Sequence, residues 1–158
     1  MTGSAFESIV EQFGPPDPGA VRTILVGVDG TATAMRAASF AFGMARRQNC
    51  RLLVTFVAAR SALSGLGPSV AVTAETEALL KLYGELREEM RSNAEELGVP
   101  VTFMKVHGDP YATLREAADT NQVDVVVVGA STSAGHRIAG SVATRLIRAG
   151  HWPVLVVP

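Results

Sequence analysis

Two short segments contain the residue types from which ligand-binding sites are commonly built. The first, Val28-Asp29-Gly30-Thr31, combines a carboxylate with a glycine and a hydroxyl group, and the second extends from Gly129 to Ser141. Glycines let a main chain approach a ligand closely, and free N–H groups at the start of a helix attract anions. We therefore expect an anion-binding loop in the second segment. An ordinary glycine-containing loop, with Ser141 as the N-cap of the next helix, is the open alternative.

Both segments directly follow short β-branched runs, which are typical of strands buried on both faces. Five such runs alternate with longer segments of helical periodicity, and they cover residues 23–28, 51–57, 101–106, 125–128 and 153–157. Strand–helix alternation with right-handed crossovers predicts a mainly parallel, doubly wound sheet with helices on both faces. Ligands bind such sheets at the carboxyl ends of strands, near the point where the strand order reverses. The two segments should therefore face each other.

Local signals mark several boundaries of the predicted elements. Thr31 or Thr33 is available as the N-cap of the first helix, and Asp109 is available for the third. Pro110 suits the first helical position, where its missing N–H group has no helical partner to lose. Pro153 opens the last predicted strand. Because proline cannot donate a hydrogen bond to a ladder, this strand is expected at an edge of the sheet.

Residues 1–20 are predicted to form an N-terminal arm, and residues 21–158 are predicted to form one domain. The arm ends in Gly14-Pro15-Pro16-Asp17-Pro18-Gly19, which predicts a linker because it cannot continue a helix or join a sheet interior. Before the linker, four apolar residues at helical spacing predict a short amphipathic helix. They are Phe6, Ile9, Val10 and Phe13. The arm packs on its own domain, docks on a partner subunit or is disordered, and the sequence leaves these alternatives open.

Composition restricts the classes of function. The chain has 158 residues and a net charge of -1, so no nucleic-acid or anionic-membrane partner is expected. Cys50 is the only cysteine, which excludes an intrachain disulfide and fits a reducing compartment. Neither a charged leader nor an apolar run of membrane-spanning length is visible, so a cytoplasmic protein is expected. His107, His136 and His151 lie in three different turns, and we predict no metal site.

Residues 21–158 resemble the universal stress protein family. The resemblance rests on five separate segments, which are Val28-Asp29-Gly30-Thr31, Gly108-Asp109-Pro110, Asp124 to Gly129, Gly140-Ser141-Val142 and Trp152 to Val157. It implies a three-layer αβα sandwich with a five-stranded, mainly parallel sheet of strand order 3-2-1-4-5, the adenine nucleotide alpha hydrolase-like fold. It also implies a homodimer, since many members of the family dimerise through the last strand.

The same resemblance implies where an adenine nucleotide would bind. In ATP-binding members, a glycine after the fourth strand is followed by two residues, a second glycine, nine residues and then Gly-Ser or Gly-Thr. By resemblance, Asp29 lies near the ribose or the adenine, and Val57 lies beside the adenine. Gly129 lies under the nucleotide, while Gly140 and Ser141 lie at the phosphates. The implied ligand is ATP, with magnesium, or a related nucleotide.

The loop of this chain departs from that family pattern. Thr132 occupies the position of the second glycine, and ten residues separate Gly129 from Gly140 where the pattern has twelve. At about 3.3–3.6 Å per extended residue, the difference removes up to about 7 Å of chain that could enclose phosphates. Gly135 supplies flexibility at a different point of the loop, and Arg137 supplies a positive charge. Weak, altered or absent nucleotide binding is therefore an open alternative.

Two functions remain open from the sequence. One is a stress-response sensor that binds ATP or a related nucleotide, and the other is a dimeric interaction module with a vestigial pocket. An enzyme is not expected, since no nucleophile–base pair is apparent. A phosphoacceptor receiver needs a lysine after the last strand, and no lysine follows Lys105. A flavodoxin-like phosphate loop after the first strand is disfavoured, because the carboxylate of Asp29 would repel phosphate.

Overall fold

The computed structural model describes residues 8–19, 22–58, 70–131 and 140–158. Within these residues the strands are β1 (Ile9–Phe13), β2 (Thr23–Val28), β3 (Arg51–Ala58), β4 (Val101–His107), β5 (Val125–Gly129) and β6 (Val154–Val157). The helices are α1 (Ala32–Gln48), α2 (Val70–Leu97), α3 (Pro110–Thr120) and α4 (Ser141–Ala149).

A single sheet contains the described strands in the order β1-β4-β3-β2-β5-β6. Strands β2 to β6 are parallel to one another and correspond, in chain order, to the five predicted strands. The predicted αβα architecture and the strand order 3-2-1-4-5 are therefore confirmed, with β1 added as a sixth strand. Among the described strands β6 pairs with β5 alone, so the edge position indicated by Pro153 is also confirmed.

The helix predicted for the N-terminal arm is wrong where the arm is described. Residues 9–13 form a strand, β1, which pairs antiparallel with β4 from Ile9 opposite Lys105 to Phe13 opposite Val101. The arm thus packs on its own domain over these residues. The apolar spacing fitted a helix, but the free edge of β4 offers backbone hydrogen bonds that a short isolated helix cannot match. Phe6, the first residue of the predicted helical stripe, lies outside the described residues.

The apolar core lies on both faces of the sheet, because the central strands are buried on both sides. Ile24 and Val26 of β2 face α1 and α2, whereas Leu25, between them in sequence, faces α3 and α4. All three side chains are almost completely inaccessible to solvent. Successive side chains of β2 thus pack into two hydrophobic layers, one on each face of the sheet. These layers hold the four helices against the sheet and so fix the positions of the strand exits.

The helix starts agree with the sequence at two positions and differ at a third. Thr31 is the N-cap of α1 and accepts a hydrogen bond from the N–H of Ala34, and Asp109 caps α3 by accepting one from Ala112. Ser141, which the alternative interpretation of the loop makes the N-cap of α4, is already helical, and Gly140 occupies the N-cap position. The Gly140 backbone is extended, and no side chain of the described residues caps α4. A glycine is needed at this position because a Cβ atom there would collide with Ser131.

Candidate functional site

A cleft of about 280 Å³ opens at the carboxyl ends of β2 and β5. These two strands are hydrogen-bonded neighbours, with Ile24 opposite Val125 and Val26 opposite Val127. The chain leaves β2 for α1 on one face of the sheet and leaves β5 for α4 on the other face. The strand order therefore reverses between β2 and β5, which is where ligands bind in sheets of this type.

The walls of the cleft come from the exits of three strands and the first turns of three helices. Its lining residues are Gly27, Val28, Asp29, Thr31, Thr33, Ala34, Val57, Pro110, Leu114, Val128, Gly129, Ala130, Ser131, Gly140, Ser141, Val142 and Ala143. The two segments singled out by their composition thus meet in one site, as expected from the parallel sheet.

Asp29 forms one polar wall and organises the start of α1. Its Oδ1 accepts hydrogen bonds from the N–H of Thr31 at 2.9 Å and from the Thr31 hydroxyl at 2.7 Å. The Thr31 hydroxyl in turn accepts a bond from the N–H of Ala34 at 3.3 Å. This relay satisfies donors that the first turn of a helix would otherwise leave unpaired. Both bonds to Asp29 use the same oxygen, and the carboxylate is exposed at the cleft.

Gly129 ends β5 directly beneath the first turn of α1. A Cβ atom built on Gly129 would lie 2.6 Å from the backbone nitrogen of Ala34 and 2.6 Å from the carbonyl carbon of Thr33. Real Cβ atoms do not approach backbone so closely, so only glycine permits this contact. Gly129 therefore has a packing reason to be glycine that does not involve a ligand, and the contact places α1 directly over the β5 exit.

Gly140 closes the other side of the cleft at the start of α4. A Cβ atom on Gly140 would lie 2.6 Å from the Cβ of Ser131, so the missing side chain lets the two ends of the segment between them come together. The N–H groups of Ser141, Val142 and Ala143 belong to the first turn of α4 and have no acceptor within the helix. All three residues line the cleft. The positive end of the α4 dipole thus faces the same space as Asp29.

The remaining wall is apolar. Val57 is buried near the end of β3, and Leu114 of α3 reaches across the sheet so closely that a Cβ on Gly27 would lie 3.0 Å from its Cδ1. Val57 and Leu114 both line the cleft. An apolar wall between a carboxylate and a helix N-terminus gives the site an amphipathic lining, as in most small-molecule sites.

Charge in the cleft is sparse. Among the described lining residues, Asp29 carries the one ionisable side chain. Arg145, in the second turn of α4, does not line the cleft; its guanidinium lies 4.0 Å from the ring centroid of Tyr111 and 3.5 Å from Asp109. The described residues thus bring backbone N–H groups, rather than a cationic side chain, to the anion-attracting side of the cleft.

Five of the seven residues predicted for the site line this one cleft: Asp29, Val57, Gly129, Gly140 and Ser141. Gly135 and Arg137 lie in residues 132–139, outside the described residues, as do Thr132 and His136. Pro110 and Leu114 of α3 also line the cleft and were not among the predicted site residues. Their signal was present, because Gly108-Asp109-Pro110 follows a parallel strand and so had to reach the same end of the sheet.

Other kinds of site receive no support from the described part of the chain. It contains no group of three His, Cys, Asp or Glu side chains placed to hold a metal ion. His151 stacks edge-on against Trp152, with ring centroids 5.0 Å apart. None of the described helices combines the length and the apolar character that crossing a membrane requires.

Comparison with known proteins gives a consistent result. A model of the universal stress protein family matches residues 20–158. A universal stress protein of Methanocaldococcus jannaschii is 28% identical over 138 residues, which cover 86% of this chain and 81% of the relative. The solved universal stress protein UspA from Lactobacillus plantarum aligns with a TM-score of 0.69 at 24% identity, covering 87% of this chain and 98% of its own. A universal stress protein solved in complex with cAMP aligns with a TM-score of 0.64 at 29% identity, covering 88% of this chain and 98% of its own.

Proposed function

The chain belongs to the universal stress protein family, and we propose that it is a stress-response sensor which binds an adenine nucleotide in the cleft between β2 and β5. The observation that carries this proposal is the polarity of the cleft. The exposed carboxylate of Asp29 lies on one side, and the first turn of α4, which no described side chain caps, lies on the other. A nucleotide has the matching polarity, because its ribose hydroxyls donate hydrogen bonds and its phosphate oxygens accept them.

Each wall has a role in this proposal. Asp29 accepts hydrogen bonds from the ribose hydroxyls with the oxygen that the α1 cap does not use. The N–H groups of Ser141, Val142 and Ala143 bind a phosphate, and Gly140 lets that phosphate approach the backbone. Val57 and Leu114 form the apolar surface against which the base packs.

The cleft favours a nucleotide with few phosphates over a triphosphate. Its volume of about 280 Å³ lies just below the range of about 300–1,000 Å³ that is usual for ligand pockets. The described lining supplies no cationic side chain, and the loop from Gly129 to Gly140 is two residues shorter than the ATP-binding pattern. The complex of a family member with cAMP supports a ligand of this class. If ATP binds instead, magnesium would be held mainly by phosphates and water, since Asp29 is the one carboxylate among the described lining residues.

We further propose that the nucleotide is bound and not turned over. Hydrolysis requires a positioned base or nucleophile, and Asp29 is the one ionisable side chain among the described lining residues. Its Oδ1 is already engaged by Thr31. Incubation of the full chain with ATP and magnesium should therefore release no ADP above the rate of a protein-free control, and sustained release would contradict this part of the proposal.

Calorimetric titration of the full chain with cAMP, AMP, ADP and ATP, each with and without magnesium, tests the main proposal. We expect saturable binding of at least one of them, tightest for a nucleotide with one phosphate. In a thermal or urea melt, a ligand at about 100 times its Kd should add about 2.7 kcal/mol of stability. Absence of binding for all four at millimolar concentration would overturn the proposal.

Two alanine variants test where the nucleotide binds. Gly140→Ala places a Cβ 2.6 Å from the Cβ of Ser131 and should weaken binding. Gly84→Ala, on the surface of α2, adds a Cβ that meets no atom within 4 Å and should leave binding unchanged. Equal affinities of the two variants would exclude the α4 terminus as the phosphate site.

A second candidate function, a dimeric interaction module, is favoured by the edge strand β6. Its four residues are apolar and only half buried, and it pairs with β5 on one side alone among the described strands. An apolar edge of this kind is suited to pairing with the same strand of a second copy. Light scattering after size-exclusion chromatography should give a dimer, and Val156→Pro, which removes a backbone donor, should give a monomer. A dimer that binds none of the four nucleotides would favour the module over the sensor.

A further inference from the structure

Strand β1 is an addition that the family match does not include. The match to the family model begins at residue 20. The alignment with UspA from Lactobacillus plantarum includes 98% of that protein but only 87% of this chain. Without β1, the sheet would end at β4, a strand of seven residues. The backbone groups along that edge would then be unpaired, which makes an edge strand a template for pairing with other chains.

Glu11 holds β1 to α2 through specific side-chain contacts. Its Oε2 accepts hydrogen bonds from Nε of Arg87 at 2.6 Å and from the Tyr83 hydroxyl at 3.1 Å, and Arg87 reaches the other oxygen as well. Phe13, next but one along the strand, is buried against Phe103 with ring centroids 6.0 Å apart. The Arg87 guanidinium lies 5.4 Å from the centroid of Phe13. A bidentate carboxylate–arginine pair gives this attachment a defined geometry.

The segment that links β1 to β2 is also anchored to its own domain. Gly14 has a φ of +76°, and a Cβ on it would lie 2.3 Å from the carbonyl oxygen of Val99. Asp17 pairs with Arg51 at 2.9 Å at the start of β3. β1 and β2 are three strand spacings apart in the sheet, a distance of about 14 Å. Nine residues easily span that distance within one chain.

β1 is a poorer template for further pairing than the strand it covers. It has five residues, carries the polar side chains of Glu11 and Gln12, and is followed at once by Gly14, Pro15 and Pro16. Short length, charge and proline are the usual means by which proteins protect exposed sheet edges. β6, at the opposite edge, has four residues and lies between Pro153 and Pro158, so it differs from β1 in carrying neither a charged nor a polar side chain.

We propose that β1 is a strap that closes the β4 edge and thereby confines self-association of this chain to the β6 edge. A sheet with two open edges can pair with other copies at both, and contacts at both edges continue from copy to copy without closing. With the strap in place, pairing of β6 with β6 of a second copy closes on itself and ends at a dimer. The inference is independent of the ligand, because neither Glu11 nor Arg87 lies at the cleft.

Charge reversal in the full chain tests the strap. Glu11→Arg and Arg87→Glu each replace the ion pair by a like-charge pair, and Glu11→Arg combined with Arg87→Glu restores it in reverse. We expect each single variant to lose hydrogen-exchange protection at the β4 amides by about tenfold or more and to form species larger than wild type. The double variant should regain both properties. Single variants that keep wild-type protection and mass, or a double variant that regains neither, would overturn the proposal.

A cysteine pair keeps the proposal testable if charge reversal unfolds the chain. Gln12 and Thr102 are opposite each other in the ladder, and their side chains are 2.9 Å apart. In a Cys50→Ser background, Gln12→Cys with Thr102→Cys should form a disulfide within one chain, which denaturing electrophoresis without reductant would show as a monomer. A disulfide between two chains would show that β1 is donated to a second copy, and would overturn the strap. Adding Glu11→Arg should then enlarge the assembly only under reducing conditions; enlargement of the oxidised form would also count against the strap.

Discussion

Gly129 and Thr33, which are 96 positions apart in the chain, are in direct backbone contact at the base of the cleft. A Cβ on Gly129 would lie 2.6 Å from the carbonyl carbon of Thr33 and 2.8 Å from its oxygen. This contact joins the end of β5 to the first turn of α1, and it therefore determines how closely the two polar segments of the site approach each other. The glycine is needed for the architecture of the site before any ligand is considered.

Gly129→Ala should destabilise the protein. The added methyl group must push the first turn of α1 away from β5, and overpacking of this kind costs typically about 1–3 kcal/mol. The free energy of unfolding, measured by urea denaturation, checks the prediction. Gly84→Ala is the matched control, since its Cβ meets open space and alanine favours a helix over glycine by about 1 kcal/mol. A Gly129→Ala variant as stable as wild type would contradict the contact with Thr33.

Removing the charge of Asp29 should lower the free energy of unfolding less than removing its hydrogen-bond acceptor. Asp29→Asn retains an oxygen for the Thr31 N–H and hydroxyl, whereas Asp29→Ala removes the acceptor and weakens the α1 cap. Loss of a helix cap costs about 1 kcal/mol. We expect the alanine variant to lose about that amount in urea denaturation and the asparagine variant to lose less than half of it. Equal losses would mean that the charge, rather than the acceptor, stabilises the turn.

Much of the fold could be predicted because its signals are local. Asp109 and Pro110 start α3 through interactions within four residues, and Pro153 marks an edge by a missing donor. The position of the cleft followed from Asp29 and Gly129, because parallel strands place their exits at one end of the sheet. These features depend on chain direction and residue type alone.

What could not be predicted depends on contacts between distant residues. The pattern from Ile9 to Phe13 fits a helical period, but the same residues alternate as a strand when β4 offers an edge. The partner of Glu11 is Arg87, 76 positions away, and no local sequence feature predicts this pair. The family resemblance explains the glycine at position 140 by phosphate binding, whereas its contact with Ser131 also requires a glycine there. Tertiary packing decided each of these cases.

Thr55→Val should stabilise the protein. Thr55 lies in β3 with no exposed surface, and its hydroxyl has no hydrogen-bond partner among the described residues. A buried unpaired hydroxyl costs about 1–3 kcal/mol, which valine of nearly the same shape recovers in part. Thr23→Val is the matched control, because the Thr23 hydroxyl accepts a bond from Arg51 at 3.0 Å and its loss should destabilise. If Thr55→Val lowers the urea midpoint instead, the hydroxyl has a buried partner such as water.

Cys50 should react slowly with thiol reagents in the folded protein. Burial raises the pKa of its thiol, and only 2% of the residue is accessible. Both effects reduce the thiolate exposed at neutral pH. Reaction with a chromogenic disulfide should be slow in buffer and complete at once in concentrated urea. Rapid, stoichiometric reaction of the folded chain in buffer would show that residues around Cys50 open readily.

The attachment of β1 should weaken in acid. The hydrogen bond from Arg87 holds the pKa of Glu11 below its ordinary value of 4.5. Because the carboxyl is more acidic in the folded chain than in the unfolded one, its stabilisation is fully present above about pH 4.5 and is lost as the pH falls through the lowered value. Glu11→Gln removes this titration. The difference in unfolding free energy between wild type and Glu11→Gln should therefore shrink as the pH is lowered from 5, while Glu89→Gln, at an exposed position of α2, should follow wild type. A difference that stays constant or grows in acid would show that the Glu11 carboxylate does not hold β1 through its charge.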